Sequence, residues 1–579
     1  MRLSRVIPVL ILAGGLGVFF LVRRGDPPVS PATDASDGVT PGGLLRVSYK
    51  YEPSTYNRFV GADSTQDGLA RLIHATLIRL NRATGQLEPR LAREWTSSPD
   101  GLTWTLKLRE DVLFSDGTPF TAADVVFSFQ ALYDPKVKSQ IGSSLFINDK
   151  RLTVRAMDAH TVVILLPAPY GPGISLLDAV PILPSHKLKA ALDAGKFQDA
   201  WGLSTPITDI VGMGPFVLTE YISGQRMVLT RNPRFWLKDS RGRQLPYLDR
   251  IEIRFTADQN ADVLRLQSGD LDVMYSTVRF EDLDALRKLE TQGRVKLYTA
   301  GVSIAPDLLW FNLAPNASPA RQRPWLQSEG LRKAISMAVD RQAFVNKVFL
   351  GEAVPIAGPI TPGHGEWYAA DAVRPVFDRD AARRALATAG LTDRNNDGMV
   401  DDAAGKTARF SIFTSKGSTV REHSAEVIRE QLRQIGLQAD VVAMETRSMI
   451  NAWSQGEYDA IYFGVEFDSF DPARNGDFWS SSGSFHVWNP SQARPATTWE
   501  GQIDELMMRQ ATSMDSAERR RLLVEAERVL AEHMPVLFFA APKVILASSA
   551  RVRGVTPSVL APYILWNADM LSVTGPPAK

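Results

Sequence analysis

Residues 91–129 carry the segment LAREWTSSPDGLTWTLKLREDVLFSDGTPFTAADVVFSF, which holds two tight turns and the start of a helix. The first turn is Asp100-Gly101, a pair that tolerates a positive φ at its glycine. Apolar side chains then alternate with the period of a half-buried strand, at Leu102, Trp104, Leu106 and Leu108. This pattern predicts a β-hairpin around the turn.

The second half of the segment predicts another turn followed by a helix. Asp116-Gly117 repeats the turn pair, and Thr121 with Asp124 three positions later has the spacing of a capping box. Helix N-termini favour this arrangement because the two side chains accept hydrogen bonds from backbone N–H groups that lack a partner inside the helix. We therefore predict a helix that begins near Thr121 and continues through Phe129.

The order of these pieces resembles the signature of the extracytoplasmic solute-binding proteins of the dipeptide and oligopeptide class (family 5), which serve ABC transporters. Residues 212–236, GMGPFVLTEYISGQRMVLTRNPRFW, carry a second resemblance, because Gly212-x-Gly214-Pro215 and Arg231-Asn232-Pro233 match the family pattern. Shorter resemblances lie at 264–272, 310–312 and 331–351. These motifs are expected to build the fold and not to contact a ligand.

The resemblance implies an α/β protein with a two-lobed periplasmic-binding-protein-like fold and a double-crossing hinge. The first lobe would comprise 44–304, with an extra subdomain at about 61–204, and the chain would return to it at 541–579. The second lobe would comprise 305–540. Apolar periodicity itself indicates the α/β class, since it predicts helices at 69–80, 331–351, 419–435 and 516–532, and strands at 44–49, 408–414, 439–444 and 460–464.

Length and charge exclude several classes of function. A chain of 579 residues is too long for a single hydrophobic core. Its 65 Lys plus Arg nearly balance its 64 Asp plus Glu, and the net charge of +1 provides no field that would attract nucleic acid. Cysteine is absent, which excludes disulfides, thiolate metal sites and acylation of an N-terminal cysteine. We expect no nucleic-acid partner.

The N-terminal residues 1–24 predict export, as a signal peptide or as a membrane anchor. Arg2 and Arg5 precede the apolar run 6–22, VIPVLILAGGLGVFFLV, whose length is at the lower limit for a membrane span. Bulky residues at its end favour an uncleaved anchor over a removed signal peptide. Residues 25–43, rich in Pro, Gly, Ser and Thr, predict a flexible linker. Both alternatives place the body in the periplasm or another extracytoplasmic space, with or without a membrane tether.

The candidate ligand site is 462–472, YFGVEFDSFDP. By resemblance to peptide-binding members, Asp468 would pair with the α-ammonium group of a ligand, and Asp471 would shape the turn before Pro472. Such a pair contributes roughly 1.5 to 3 kcal/mol when closing lobes exclude water, against about 0 to 1 kcal/mol in solvent. Those members commonly have Trp three residues before the Asp, where this chain has Val465, and Glu466 is an added carboxylate. This difference leaves room for cationic or bulkier solutes.

The backbone of 465–467 could pair with an extended peptide as an added strand, which would read the main chain and permit broad selectivity. Aromatic side chains are candidates for the walls of the cleft, with packing inside a lobe as the alternative. The full set of predicted ligand-binding residues is Val465, Glu466, Phe467, Asp468, Tyr49, Tyr51 and Trp488. His74 is predicted to pack inside a helix rather than bind a ligand.

Residues 393–402, DRNNDGMVDD, resemble a calcium loop, and the candidate ligands are Asp393, Asn395, Asp397 and Asp401. The position that needs a bidentate Glu is Ala404, so the set is incomplete and a solvated turn is the alternative. The chain has no Gly-x-Ser-x-Gly elbow and no His-Glu-x-x-His pair. We expect no cofactor and no enzymatic activity.

The sequence thus predicts an extracytoplasmic solute-binding receptor of an ABC importer. It would act as a monomer, capture a peptide or similar small solute between two closing lobes, and present it to an ABC permease in the cytoplasmic membrane. Nickel chelates and sugars remain alternative ligands. The alternative function is a membrane-tethered ligand sensor or partner-binding protein that reuses the same fold.

Overall fold

The structure is a computed structural model and describes residues 41–61, 64–147, 150–315, 323–374, 376–465, 467 and 469–575. The predicted signal or anchor and nearly all of the predicted linker lie outside these ranges, as do Glu466 and Asp468. None of the helices in the described ranges combines the length and apolar composition that a membrane span requires.

The larger of two main sheets has eight strands and mixes parallel with antiparallel pairing. Its strands are β1 (Leu44–Tyr49), β10 (Phe216–Ile222), β11 (Arg226–Arg231), β12 (Arg250–Phe255), β13 (Val273–Met274), β14 (Val295–Val302), β16 (Ala353–Pro355) and β21 (Ala540–Ser549). Their order is β10-β11-β12-β1-β13-β21-β14, and β16 pairs with β21. Strand β1 lies parallel to both β12 and β13.

The second main sheet has five strands. They are β15 (Asp307–Phe311), β17 (Arg409–Ser415), β18 (Gln438–Met444), β19 (Ala460–Gly464) and β20 (Val536–Phe538). The order is β18-β17-β19-β15-β20, with β17 parallel to both of its neighbours and β15 antiparallel to both of its own.

Smaller sheets complete the β-structure of the described residues. A four-stranded antiparallel sheet has the order β5-β6-β8-β7, from β5 (Ala92–Ser97), β6 (Thr103–Leu108), β7 (Thr153–Asp158) and β8 (Thr161–Leu165). The two-stranded pairs are β2 (Ala75–Thr76) with β9 (Pro181–Ile182), β3 (Ile78–Leu80) with β4 (Leu87–Pro89), and β22 (Val552–Arg553) with β23 (Ser572–Val573).

Helices cover the sheets and connect their strands. The α-helices are α1 (Ser64–Ile73), α2 (Ala122–Leu132), α3 (Gln140–Ser143), α4 (Ser185–Asp193), α5 (Gln259–Ser268), α6 (Leu283–Thr291), α7 (Glu329–Ala338), α8 (Arg341–Phe349), α9 (Arg379–Thr388), α10 (Thr419–Arg433), α11 (Thr446–Ser454), α12 (Gly476–Trp479), α13 (Thr498–Thr512) and α14 (Ser516–His533). Short 3₁₀ turns lie at Gly173–Ala179, Ile207–Asp209, Phe280–Asp282, Pro362–Trp367, Pro472–Asn475 and Leu565–Met570.

The two main crossings between the sheets run from β14 to β15 and back from β20 to β21, and between them the chain also places β16 beside β21 of the eight-stranded sheet. We call the part built on the eight-stranded sheet the first lobe and the part built on the five-stranded sheet the second lobe. Strand β16 reinforces the second crossing, because Ala353 pairs with Pro542 and Pro355 with Ala540. The predicted α/β, two-lobed fold is confirmed, while the predicted residue limits of the lobes and of the extra subdomain stay predictions.

The opening segment folds as its sequence predicts. Strands β5 and β6 form an antiparallel hairpin, and Gly101 in its turn has φ +69°. The backbone N–H of Thr121 donates to Asp124 Oδ2 at 3.0 Å, which is half of the predicted capping box, and α2 begins at Ala122.

Two predicted helices are wrong in part. Helix α1 ends at Ile73, and residues predicted to continue it form β2 and β3. The Ile73 carbonyl accepts from Gly214 N at 2.7 Å instead of from a following turn of helix, so a distant backbone group ends the helix. The predicted helix 331–351 is two helices, because Asp340 leaves the helical conformation and caps α8 by accepting from Ala343 N at 3.0 Å.

Candidate ligand-binding site between the lobes

Each main sheet directs the carboxyl ends of parallel strands into loops that could hold a ligand. In the first lobe β1 leads into Lys50 and Tyr51, and in the second lobe β19 leads from Gly464 into the loop 465–472. The carboxyl ends of parallel strands are the usual ligand-binding edge of α/β sheets, since side chains from several strands converge there. These two loops are therefore the candidate solute-binding loops of the two lobes.

The second-lobe loop is anchored by buried apolar side chains. Val465 is 7% exposed and Phe467 is 5% exposed, and the Phe467 ring packs edge-on against Phe478 with centroids 5.4 Å apart. Ser469 is also buried. The predicted ammonium partner Asp468 and its neighbour Glu466 lie outside the described residues, so their ligand role stays a prediction.

Asp471 holds the end of this loop in place. Its Oδ1 accepts from Ala473 N at 3.1 Å, which caps the 3₁₀ turn that begins at Pro472. The same oxygen accepts from Arg519 Nη2 at 2.6 Å. Arg519 is itself buried and donates through Nε to the Gln510 carbonyl at 2.9 Å. The loop is thereby tied to both α13 and α14.

The two tyrosines of the first-lobe edge differ in environment. Tyr49 is 1% exposed and packs against Tyr275 with ring centroids 4.2 Å apart. Burial, together with the nearby Asp67 carboxylate, raises the pKa of the Tyr49 hydroxyl far above its ordinary value. Tyr51 is 61% exposed, with the Lys50 ammonium 5.2 Å from its ring centre. Tyr51 is available to a ligand, whereas the position of Tyr49 favours packing within the lobe.

Trp488 lies inside the second lobe in a polar cluster around Glu500. Its Nε1 donates to Glu500 Oε1 at 3.1 Å, and His486 Nε2 lies 3.2 Å from the same oxygen. Burial by itself would raise the pKa of Glu500, but hydrogen bonds from His486, Gln492, Thr497 and Trp488 outweigh it and lower the pKa to about 2. With an exposure of 1%, Trp488 is placed as the packing alternative describes.

The structure adds an ion pair that the sequence did not single out. Arg421 at the start of α10 contacts both Asp307 oxygens through Nε at 3.1 Å, and its guanidinium lies 4.0 Å from the ring centre of Phe463. A Cβ on Gly464 would lie 2.6 Å from Asp307 Oδ1, so a larger residue there would displace the side chains of this pair. Because Asp307 and Arg421 are 114 positions apart, no local pattern could have indicated the contact.

Among the contacts that join the lobes in the described residues, two involve residues close in sequence or space to the groups described above. Thr419 Oγ1 of the second lobe donates to Glu281 Oε1 of the first at 3.4 Å. Gly171, in the segment after β8, donates its N–H to the Ala511 carbonyl at 2.6 Å. A Cβ on Gly171 would lie 2.6 Å from the Ser513 carbonyl oxygen and 2.4 Å from Arg519 Nε, so this approach requires glycine.

The loop 393–402 and His74, two weaker candidates from the sequence, make contacts within the protein that are typical of structural residues. In the loop 393–402 the carboxylates accept backbone N–H groups of the same loop, for instance Asp393 Oδ2 from Gly398 at 3.0 Å. Within the described residues, no group of three or more His, Cys, Asp or Glu side chains could hold a metal ion. His74 is 4% exposed and stacks on Trp201, and burial lowers its pKa to about 4.

Comparison with known proteins gives a family match over most of the chain. Residues 86–486 match the model of the bacterial extracellular solute-binding proteins, family 5 Middle. A probable ABC transporter-binding protein of Deinococcus radiodurans is 28% identical over 571 residues, which cover 94% of this chain and 95% of that protein. The oligopeptide-binding protein AppA of Bacillus subtilis is 26% identical over 522 residues, 89% of each chain.

Solved structures share the fold. The structure of AppA from Bacillus subtilis in complex with a nonapeptide superposes with a TM-score of 0.72 at 24% identity, covering 93% of this chain and all of that chain. NikA from Brucella suis in complex with Fe(III)-EDTA superposes with a TM-score of 0.75 at 20% identity, covering 92% of this chain and all of that chain. At these identities the likeness establishes the fold alone.

Proposed function

Because this chain belongs to the family 5 bacterial extracellular solute-binding proteins, we propose that it captures a peptide, or a solute of similar size, between its lobes for an ABC importer. It is a binding protein and not an enzyme. The name of the relative AppA from Bacillus subtilis and the nonapeptide in its structure favour a peptide ligand. The iron chelate in NikA supports a chelated metal as the competing ligand class.

The observation that carries this proposal is the anchored loop at the carboxyl end of β19. Buried Val465 and Phe467 and the Asp471–Arg519 pair hold the loop on either side of the sequence position of Asp468. We assign Asp468 as the partner of a ligand ammonium group and Glu466 as a second acidic contact. Tyr51, exposed on the first-lobe edge, supplies an apolar face from the opposite lobe.

Closure of the lobes would strengthen the pair between Asp468 and a ligand ammonium group. A carboxylate–ammonium pair in solvent contributes only about 0 to 1 kcal/mol, because water competes for both charges. The contacts Gly171–Ala511 and Thr419–Glu281 bring the lobes together and support a closed state that would exclude water. A ligand that contacts both lobes favours this state by the difference in its contacts with the closed and open forms.

The ligand is tested first by native mass spectrometry of the chain purified from its own host, which identifies any molecule retained. Asp468→Asn is then expected to weaken binding of that molecule by about 10- to 150-fold, the loss of a charge-assisted hydrogen bond worth roughly 1.5 to 3 kcal/mol. The control is Asp284→Asn, which changes the same charge at a side chain that is 90% exposed. Equal affinity of wild type and Asp468→Asn would remove this assignment.

The N-terminal sequence supports a finer proposal for the location of the protein. We propose that the apolar run 6–22 stays uncleaved and tethers the body to the outer face of the cytoplasmic membrane. The measurement is the intact mass of the protein isolated from the membrane fraction. A chain that begins at Met1, or loses only that residue, agrees with the anchor. A mature chain that begins after residue 22 would show a removed signal peptide instead.

A further inference from the structure

The second lobe contains a cavity that is separate from the loop 465–472. Its volume is about 240 Å³, and its walls come from α7, the start of α8, α14, β20 and the segment that follows β16. Met337, Leu530 and Phe538 are among the apolar side chains that line it. Ligand pockets for drug-sized molecules are usually about 300 to 1,000 Å³, so this one suits a ligand with only a few carbon atoms.

One buried carboxyl group in this cavity has an unused oxygen. Glu527 on α14 is 3% exposed, and its Oε2 has no hydrogen-bond partner among the described residues. Buried carboxyl oxygens are nearly always hydrogen-bonded, because an unmet acceptor loses its water without gaining a donor. The exception at Glu527 indicates that a donor belongs there.

The basic side chains that line the cavity are directed elsewhere. Arg341 is buried and donates from Nε to the carbonyls of Ile356 at 2.9 Å and Phe538 at 3.1 Å. Lys333 pairs with Glu329 at 3.3 Å, and Glu329 also contacts His533 at 2.6 Å. Arg374 is exposed.

Among the described residues, no ion pair joins Glu527 to a basic group. A ligand that carries a cationic donor would complement this buried carboxyl group.

We propose that this cavity is a second binding site, which takes a small molecule with an apolar body and one primary ammonium group that donates to Glu527 Oε2. The apolar walls remove the hydrocarbon part of such a molecule from water. The ammonium group supplies both a donor and a compensating charge to a carboxyl that folding has already desolvated. This site is independent of the solute captured between the lobes.

Binding at this site must be linked to a proton. Burial raises the pKa of Glu527 to about 8, so at neutral pH the carboxyl holds a proton that an ammonium ligand displaces. Affinity should therefore increase by about tenfold per pH unit as the pH rises from 6 towards 8, and change little above 8. A carboxylate ligand would show the opposite trend, because it needs the protonated form of Glu527 as a donor.

Isothermal titration of the full chain with 3-methylbutylammonium tests the proposal, with 3-methylbutanoate and 3-methylbutanol as probes of the same shape. We expect a single site that prefers the ammonium probe. Titrations at pH 6 in buffers of different ionisation enthalpy should show release of close to one proton per ligand. Tighter binding of 3-methylbutanoate, or no saturable binding of the ammonium probe, would overturn the proposal.

Substitutions locate the site. Glu527→Gln keeps the size of the side chain and should weaken the ammonium probe at least tenfold, whereas Ala531→Phe adds bulk to a wall of the cavity while the carboxyl group is retained, and should abolish binding. Asp284→Asn, which removes an exposed charge on the first lobe away from both sites, should leave binding of this probe unchanged. Unaltered binding in both Glu527→Gln and Ala531→Phe, with thermal unfolding confirming that they fold, would place the probe elsewhere.

Discussion

At the residue scale, two buried glutamates on neighbouring helices show how environment sets the charge of one side-chain type. Glu500 on α13 accepts from Trp488, His486, Gln492 and Thr497, and its pKa falls to about 2. Glu527 on α14 is buried in a largely apolar cavity, and its own Oε2 has no hydrogen-bond partner among the described residues. Burial raises its pKa to about 8. Both side chains are 3% exposed or less, so hydrogen bonding and not depth decides the direction.

Glu500→Gln should destabilise the protein in a pH-dependent way. Because the folded pKa of about 2 lies below the ordinary value of 4.5, ionised Glu500 stabilises the fold above about pH 4.5, and this contribution is lost as the pH falls towards 2. The shift corresponds to roughly 3 kcal/mol of unfolding free energy. Urea unfolding at pH 7, 5 and 3.5 should show that the difference in unfolding free energy between wild type and variant becomes smaller as the pH falls.

The matched control for that experiment is Glu505→Gln on the same helix, whose side chain is 68% exposed and should give a gap near zero at every pH. A gap for Glu500→Gln that is the same at pH 7 and 3.5 would contradict the assignment of its low pKa.

Glu527→Gln should act with the opposite sign. The folded pKa of about 8 lies above the ordinary 4.5, so the folded state holds a proton that the unfolded chain has released, and stability falls as the pH rises from about 4.5 to 8. Gln cannot ionise, so the variant should gain on the order of 4 kcal/mol relative to wild type between pH 5 and pH 8. Denaturant unfolding at those two pH values is the measurement.

Glu525→Gln, whose side chain is 45% exposed and pairs with Arg521, is the control and should show no such relative gain. A Glu527→Gln variant that parallels wild type from pH 5 to 8 would refute the raised pKa.

At the element scale, the two long sequence motifs meet in space. Ser115 N, in the second turn of 91–129, donates to the Gly212 carbonyl at 2.9 Å, and Arg234 Nη1 donates to the Ser115 carbonyl at 3.1 Å. The turn itself is held by Thr118 N donating to Asp116 Oδ1 at 3.0 Å. The motifs therefore join the segment before α2 to β10 and β11 of the first lobe, which is the structural role predicted for them.

Gly117→Ala should weaken this junction. Gly117 has φ +94°, and a side chain in a left-handed conformation costs about 1 to 2 kcal/mol, which we expect as the loss in unfolding free energy. The added methyl would clash with nothing, since its nearest neighbour is Arg234 Nε at 3.6 Å, an ordinary van der Waals contact, so the measurement reports mainly the backbone strain.

Gly202→Ala is the control for this turn, because that glycine has no positive φ and its added methyl would lie 3.7 Å from its nearest neighbour. Equal urea midpoints for the two variants would show that the turn does not need its glycine.

At the scale of the whole molecule, the lobes are joined by two covalent crossings and by contacts that a bound solute could reinforce. The contact at Gly171 is close, because its N–H reaches the Ala511 carbonyl at 2.6 Å with no room for a side chain. The crossings join the two lobes permanently through the chain, whereas the contact at Gly171 must form each time that the lobes close.

Gly171→Val should shift the molecule towards a more open form. The chain has no cysteine, so Arg93→Cys on the first lobe and Glu505→Cys on the second provide two unique spin-label sites, with side chains 52% and 68% exposed. Pulsed electron spin resonance should give a longer and broader distance distribution for the Gly171→Val variant.

The control for lobe closure is Gly476→Ala, where the added methyl meets no atom within 4 Å and the distances should match those of wild type. Superimposable distributions for Gly171→Val and wild type would show that this contact does not govern closure.

The sequence by itself determined what depends on neighbours along the chain. The hairpin at Asp100-Gly101, the start of α2 and the limits of β1 and β19 follow from turn chemistry, capping and apolar period, and the family follows from motifs that keep this order. The ligand-binding residues that the sequence indicates stay predictions, since Asp468 and Glu466 lie outside the described residues.

Only the tertiary structure decided the features that rest on distant partners. The end of α1 is set by Gly214, the loop after β19 by Arg519, and the ends of β15 and β19 by Arg421. The pKa of Glu527 is raised because side chains from α7, α8, β20 and the segment that follows β16 bury it. Local patterns cannot show such contacts, because a hydrogen bond or a buried carboxyl is defined by the groups that folding brings beside it and not by its neighbours in sequence.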